Sequence, residues 1–238
     1  MYKHCSKCKD GWIFNEQTGT ATKCDCLKSY QELQKFLLNQ SKANIFEHNS
    51  SVDDLMLKDK NLLSKIKYYT QNLDNKTSSN SSLYLYGRNI CSKTFTAKSI
   101  LYDACKKSID CRFIIMGDLV DMITDAFATE KKNDKIDEYL NCKLLVIDDA
   151  FDKAKVTLFK SGYQLPYLDR FIRKRLETYK LNTIFTSNVK IEEIQNNGFS
   201  YDIQNLIERN IKLRDGYLEF NDVFVSDEYN IDVKSIWD

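Results

Sequence analysis

From Leu83 onward, short apolar runs recur at intervals: LYLY at Leu83–Tyr86, RFIIM at Arg112–Met116, LLVI at Leu144–Ile147 and TIF at Thr183–Phe185. Between them the pattern changes to helical, over Lys93–Ser108, Leu119–Phe127 and Leu165–Tyr179. Short buried strands separated by helices imply a parallel sheet covered on both faces. The alternation therefore predicts an α/β domain whose ligand site lies at the ends of the strands.

Ahead of this block, LMLKDKNLLSKIKYYTQNL (Leu55–Leu73) sets Leu62, Leu63, Ile66, Tyr69 and Leu73 at spacings of three and four, one face of an amphipathic helix. Ser29–Phe46 is helix-like and polar, and DNKTSSNSS (Asp74–Ser82) is the clearest internal loop. A chain of 238 residues is long enough for one α/β core and a small appendage. The expected division is a zinc-binding domain over 1–31, a helical linker over 32–75 and a main domain over 76–238.

Charge narrows the range of partners. With 35 basic against 34 acidic residues, nucleic-acid affinity has to come from a local patch rather than the overall balance. No apolar run approaches the roughly 20 residues that span a bilayer, and MYKHCSKCKDGW lacks the apolar core of a signal peptide. A cytoplasmic protein with no membrane partner is expected.

Four of the eight cysteines fall within the first 26 residues, as Cys5-x-x-Cys8 and Cys24-x-Cys26 around a polar, hairpin-like piece containing Gly11 and Gly19. Two short thiolate hooks suit a closed tetrahedral zinc site, and the spacing favours zinc over free or redox-active thiols. A piece this small builds little core, so the metal would supply most of its folding energy. Partner binding, not catalysis, is its expected task. Cys91, Cys105, Cys111 and Cys142 are scattered singly and read as buried small hydrophobes.

The strand ends carry the chemistry. GRNICSKT supplies Gly87, Lys93 and Thr94 at the spacing of a phosphate loop: a lysine for the β- and γ-phosphates and a hydroxyl for magnesium at a helix start. Ser92 stands where glycine normally precedes the lysine, and Ile90 and Cys91 stand where small residues are expected. Downstream, KLLVIDDA puts Asp148 and Asp149 after a buried strand, the first to order magnesium and the second to activate water. TIFTSN ends in Thr186, Ser187 and Asn188, beside which a γ-phosphate would sit.

From the CxxC…CxC start with Gly11-Trp12, through the amphipathic helix before SSLYLYG, to LLVIDDA, TIFTSN and DIQNLIERNIKL, the chain resembles the DnaC/DnaI-type bacterial helicase loaders, in their phage-like form. The resemblance implies an AAA+ P-loop NTPase core with a five-stranded parallel sheet, binding ATP/ADP and magnesium. It also implies contact with single-stranded DNA, docking on a DnaB-type hexameric helicase during replication initiation, and self-assembly into a ring or spiral. Carried across by position, Gly87, Ser92, Lys93, Thr94 and Asp148 form the nucleotide and magnesium site. Asn188 matches the sensor residue, and Arg209 in LIERN matches the arginine that reaches a neighbouring subunit's nucleotide. Asp149 stands where the family usually has glutamate, one methylene longer, so this departure and those at Ile90 and Ser92 bear on hydrolysis more than on binding.

For DNA the family uses the insertion after the second strand, where only Lys131 and Lys132 stand out. RFIRKR (Arg170–Arg175) is the stronger basic cluster, suited to phosphates or equally to a salt-bridged helix face. Three readings follow: an ATP-dependent loader, a hydrolysis-deficient adaptor that occupies the helicase, and an IstB-like transposition helper sharing the ATPase core. The cysteine-rich start and the amphipathic helix before the core argue against the last.

Overall fold

The computed structural model describes residues 5–74, 81–129, 134–153 and 164–221. It begins with an antiparallel hairpin of β1 (Trp12–Asn15) and β2 (Thr20–Lys23), followed by helices α1 (Asp25–Lys42) and α2 (Lys60–Gln71). Asp59 caps α2, its carboxylate accepting from the amides of Asn61 and Leu62. The expected helical face is present: Leu62 and Ile66 are buried.

The main domain then runs β3 (Leu83–Gly87), α3 (Lys93–Lys106), β4 (Cys111–Ile115), α4 (Met116–Thr129), α5 (Asp134–Asn141), β5 (Leu144–Asp148), α6 (Gln164–Arg173), β6 (Asn182–Ser187), α7 (Tyr201–Asn210) and β7 (Tyr217–Phe220). The strands form one sheet in the order β4-β5-β6-β3-β7, and every pairing is parallel. Side chains alternate between its faces. Leu83, Leu85, Leu144, Val146 and Ile184 pack with α3, whereas Tyr84, Leu145, Ile147 and Phe185 pack with α4, α6 and α7. Strands apolar on both sides are thus covered on both sides, as the sequence requires.

After β3 the chain crosses to the far edge at β4, returns through β5 and β6, and ends at β7 on the other side of β3. Adjacent β3 and β6 are therefore followed by helices on opposite faces, α3 and α7. That is the switch point at which open α/β sheets hold ligands. The fifth strand, β7, is only four residues long. Gly87 and Gly216 let it approach β3: a Cβ on Gly87 would lie 2.4 Å from the Phe220 carbonyl oxygen, and one on Gly216 would lie 2.3 Å from that of Ser82.

Residues 32–74, within the stretch expected as a helical linker, hold the end of α1, a largely irregular segment and α2, and they share the domain's core. Ala43, Ile45, Val52, Leu55 and Ile66 lie in one buried cluster with Leu85, Ile100 and Val146. Asp103 on α3 ties this stretch down, its carboxylate accepting from the Ser51 hydroxyl and the Val52 amide at 3.0 Å each. His48 packs edge-on against Phe95, with ring centres 4.9 Å apart, and bonds through Nε2 to Ser99 Oγ at 3.0 Å. The polar run between Asp74 and Ser81 lies outside the described residues.

Candidate nucleotide site and cysteine centre

The loop from β3 into α3 folds back over its own lysine. Lys93 Nζ donates to the carbonyls of Gly87 (2.8 Å) and Arg88 (2.6 Å) and to Asn188 Oδ1 (2.9 Å), which closes the loop across to the end of β6. Asn188 in turn donates to Asn89 Oδ1 at 2.7 Å. Two of the three positions where glycine or small residues are expected are strained: Ile90 has φ 65° and Ser92 φ 62°, the left-handed region that favours glycine. Each costs about 1–3 kcal/mol. Ile90 sits at the tip with 73 % of its surface exposed, while Ser92 precedes α3 with its hydroxyl buried and unpartnered among the described residues. Gly87 has a packing reason of its own, namely the close approach of Phe220.

Thr94 Oγ1 donates to Asp148 Oδ1 at 2.8 Å, joining the first turn of α3 to the end of β5. The same oxygen accepts a short bond from the Thr186 hydroxyl. Burial pushes the Asp148 carboxyl above the ordinary carboxylate range, and the bonds from Thr186 and Thr94 pull it back only in part. Asp148 is thus a buried carboxylate whose hydrogen bonds come from hydroxyls. A divalent cation fits there, because two oxygens from different elements converge and one carries charge. Lysine, helix start, hydroxyl and carboxylate together fit magnesium with a polyphosphate.

Asp149 follows with φ 51°, its amide donating to Thr186 Oγ1 at 3.1 Å. Thr186 and Ser187, expected beside a phosphate, are buried instead and brace the β5 end. Thr186 bonds both aspartates, its carbonyl accepts from the Ala150 amide, and Ser187 Oγ donates to the Ala150 carbonyl. Only Asn188 of that trio turns toward the loop. Asn89 and the bracing role of Thr186 escaped the sequence reading, because no spacing rule links them to their partners.

Arg209 lies on α7 and donates to Glu177 Oε1 at 3.1 Å; Glu177 also accepts from Arg173. It does not join the Lys93–Asp148 group within the chain. Of the two readings of RFIRKR, the salt-bridged helix face holds at Arg173, Arg170 is exposed, and Arg175 belongs to neither. Arg175 is 1 % exposed, and its guanidinium donates to the carbonyls of Tyr139, Leu140, Cys142 and Asn182. Arg173 is paired with Asp169 and Glu177. Lys131 and Lys132 lie outside the described residues. A cavity of about 510 Å³, lined by Tyr69, Ser82, Asn182 and Gly216 among others, opens at the opposite end of the sheet and takes no part in this site.

The four N-terminal cysteines converge. Cys5 Sγ lies 3.5 Å from Cys24 and 3.7 Å from Cys8, and Cys8 lies 3.4 Å from Cys26, with all four sulfurs within 4.8 Å of one another. A tetrahedron with metal–sulfur bonds of about 2.3 Å has edges of about 3.8 Å, so the donor set fits zinc in size and softness. The hairpin brings the hooks together: the Cys24 amide donates to the Gly11 carbonyl at 2.7 Å, and Cys24 then caps α1.

No protein-family model matches this chain, and no curated protein does. Solved structures do match its fold. The DnaC helicase loader is 19 % identical, with a TM-score of 0.57, over 73 % of this chain and 96 % of its own. DnaI is 17 % identical, with a TM-score of 0.54, over 75 % and 89 %. AMPPCP-bound DnaA from Aquifex aeolicus is 15 % identical, with a TM-score of 0.57, over 71 % of this chain; the chain spans about half of that DnaA, 49 %. The chain shares the fold of these proteins, an α/β core with a five-stranded parallel sheet, preceded by a cysteine cluster able to hold zinc. None of the described helices is long and apolar enough to cross a membrane.

Proposed function

We propose that this chain is a cytoplasmic replication protein that binds ATP and single-stranded DNA and loads a DnaB-type hexameric helicase. The observation that carries the reading is the bonded set Lys93–Asn188 and Thr94–Asp148 at the sheet's switch point, in a fold that DnaC and DnaI share. Lys93 would meet the β- and γ-phosphates, Thr94 and Asp148 would hold magnesium, and Gly87 and Ser92 would frame the loop. Asp149 would orient water, Asn188 would sense the terminal phosphate, and Arg209 would act on a neighbouring subunit's site in a ring or spiral. Magnesium would supply charge neutralisation of the phosphates. Cys5, Cys8, Cys24 and Cys26 would hold structural zinc in a module that binds the helicase.

A second reading has a specific observation behind it. Side chains at Ile90 and Ser92 occupy backbone conformations that glycine normally fills, which favours a protein that binds nucleotide and turns it over slowly, acting as a helicase-occupying adaptor. Calorimetry with ATP and magnesium, repeated on Lys93→Ala, separates these readings from a chain without a nucleotide switch. Heat of binding that Lys93→Ala abolishes supports the switch. Its absence from the native protein refutes the switch and leaves an adaptor, which capture of a DnaB-type helicase would test.

A further inference from the structure

The hairpin carries a surface that the cysteine centre does not use. Lys9 and Trp12 exchange amide-to-carbonyl bonds of 3.0 and 2.9 Å across a tight turn at Asp10 (φ 51°) and Gly11 (φ 83°). On the other side Trp12 is the register partner of Lys23. Directly opposed residues on neighbouring strands share a face, so Trp12 stands between two lysines. Lys23 Nζ is 6.0 Å from the centre of the indole. Phe14, two positions along, lies on the same face, while Ile13 points to the other. Lys9, Asp10, Trp12 and Phe14 line an open concavity, and both strands are solvent-exposed throughout, Phe14 at 62 %.

We propose that this face is a stacking platform for single-stranded nucleic acid. Two aromatic rings spaced along a strand accept successive bases, and a lysine on each side of the first ring meets the backbone phosphates. Every base has a π-face, so such a platform is indifferent to sequence. Charge complementarity favours this occupant over an apolar protein segment, since the aromatic pair is bounded by cations, with Asp10 the one opposing charge in the concavity. The assignment rests on the single-strand part of the loader reading and locates it on the N-terminal hairpin, which carries none of the candidate nucleotide-site residues.

The test uses the full zinc-loaded chain carrying Trp237→Phe, so that Trp12 is the sole tryptophan, titrated with an oligothymidylate. Saturable quenching of Trp12 fluorescence is expected. Trp12→Ala with Phe14→Ala should weaken binding at least about fivefold, followed by polarisation of a labelled strand, with zinc content unchanged. Lys9→Gln and Lys23→Gln should each flatten the slope of log affinity against log salt by about 0.7, and Ile13→Thr should change nothing. Should the double variant fail to retain zinc, the two lysine variants carry the test. Unchanged strand affinity in the aromatic variants overturns the platform while leaving the loader reading intact. Loss of helicase capture without loss of strand binding assigns the face to a protein partner and overturns it equally. Absence of strand binding by the native chain also overturns it, and the loader reading is then decided by helicase capture.

Discussion

Lys93 and Asn188, ninety-five positions apart, are joined by a 2.9 Å hydrogen bond that ties the loop between β3 and α3 to the end of β6. The bond gives two separable expectations. Lys93→Ala should abolish ATP binding, because the charge proposed to meet the phosphates is gone. Asn188→Ala should leave affinity within about threefold and lower turnover by about a hundredfold, the scale of a mispositioned reacting group. Calorimetry and phosphate release measure the two; equal loss of affinity in both variants would refute the division.

Relief of loop strain should be visible without any ligand. Ile90→Gly and Ser92→Gly each remove a side chain from a left-handed position, and the gain outweighs the extra freedom of the unfolded chain by about 1 kcal/mol. Each should raise the thermal midpoint by about 2–4 °C and tighten ATP binding. Asp149→Glu, restoring the missing methylene, should raise phosphate release in the presence of helicase and single-stranded DNA. A lower midpoint in both glycine variants would contradict this account.

Asp148 sets stability against function. Burial raises its pKa in the folded state, so the protonated carboxyl is the form the fold favours. Its stabilising contribution is full below the unfolded carboxylate value of about 4 and is lost as pH rises through the raised folded value. At neutral pH the ionised group therefore costs stability. Asp148→Asn keeps an acceptor for Thr94 and Thr186 while removing the charge. It should raise the midpoint of the ligand-free protein at pH 7, raise it less near pH 4, and erase stabilisation by ATP with magnesium. A fall in the midpoint at pH 7 would show that the carboxylate is stabilising there.

Metal analysis of the purified protein should find about one zinc per chain, lost in Cys5→Ser or Cys26→Ser. Less than about a third of an equivalent, with no gain on refolding with zinc, would count against the site. Chelation should disorder the hairpin and leave the parallel-sheet domain folded, because the domain's buried clusters contain none of the four cysteines.

Truncation should discriminate between the two halves of the N-terminal region. Removing residues 1–31 should spare the core and abolish helicase capture. Starting the chain at residue 76 also removes Ala43, Ile45, Val52, Leu55 and Ile66 from a shared core, at a cost of several kcal/mol in urea unfolding, since each lost buried Val, Leu or Ile side chain contributes about 1.5–3 kcal/mol. Equal stability of the two truncated chains would show that the 32–75 stretch is a linker after all.

Strands and helices from Leu83 to Ser187, the short polar α5 excepted, were legible because apolar runs and helical stretches alternate there. The placement of Lys93 and Thr94 at the start of α3 and of Asp148 at the end of β5 was legible because their spacing follows from the loop and strand geometry. What escaped depends on contacts across the fold. β7 is four residues whose place is set by two glycines. The packing of 32–75 depends on Asp103 and Ile100 in another element. In RFIRKR the salt-bridged helix face was legible at Arg173, which pairs with Asp169 and Glu177 one turn away, whereas the burial of Arg175 depends on carbonyls of other elements.

Arg175 has one further effect, on alignment. Its guanidinium gathers carbonyls from the end of α5, from the turn into β5 and from the first residue of β6, where Leu144 and Asn182 are paired. From that anchor, β5 runs four residues to Asp148 and β6 runs six to Asn188, or about 13 and 20 Å at 3.3 Å per residue. A slip of one residue at the anchored end would turn the carboxylate and the amide to the wrong sides of the sheet. A cation that touches no ligand thus serves as the datum from which both strands are measured out to the site.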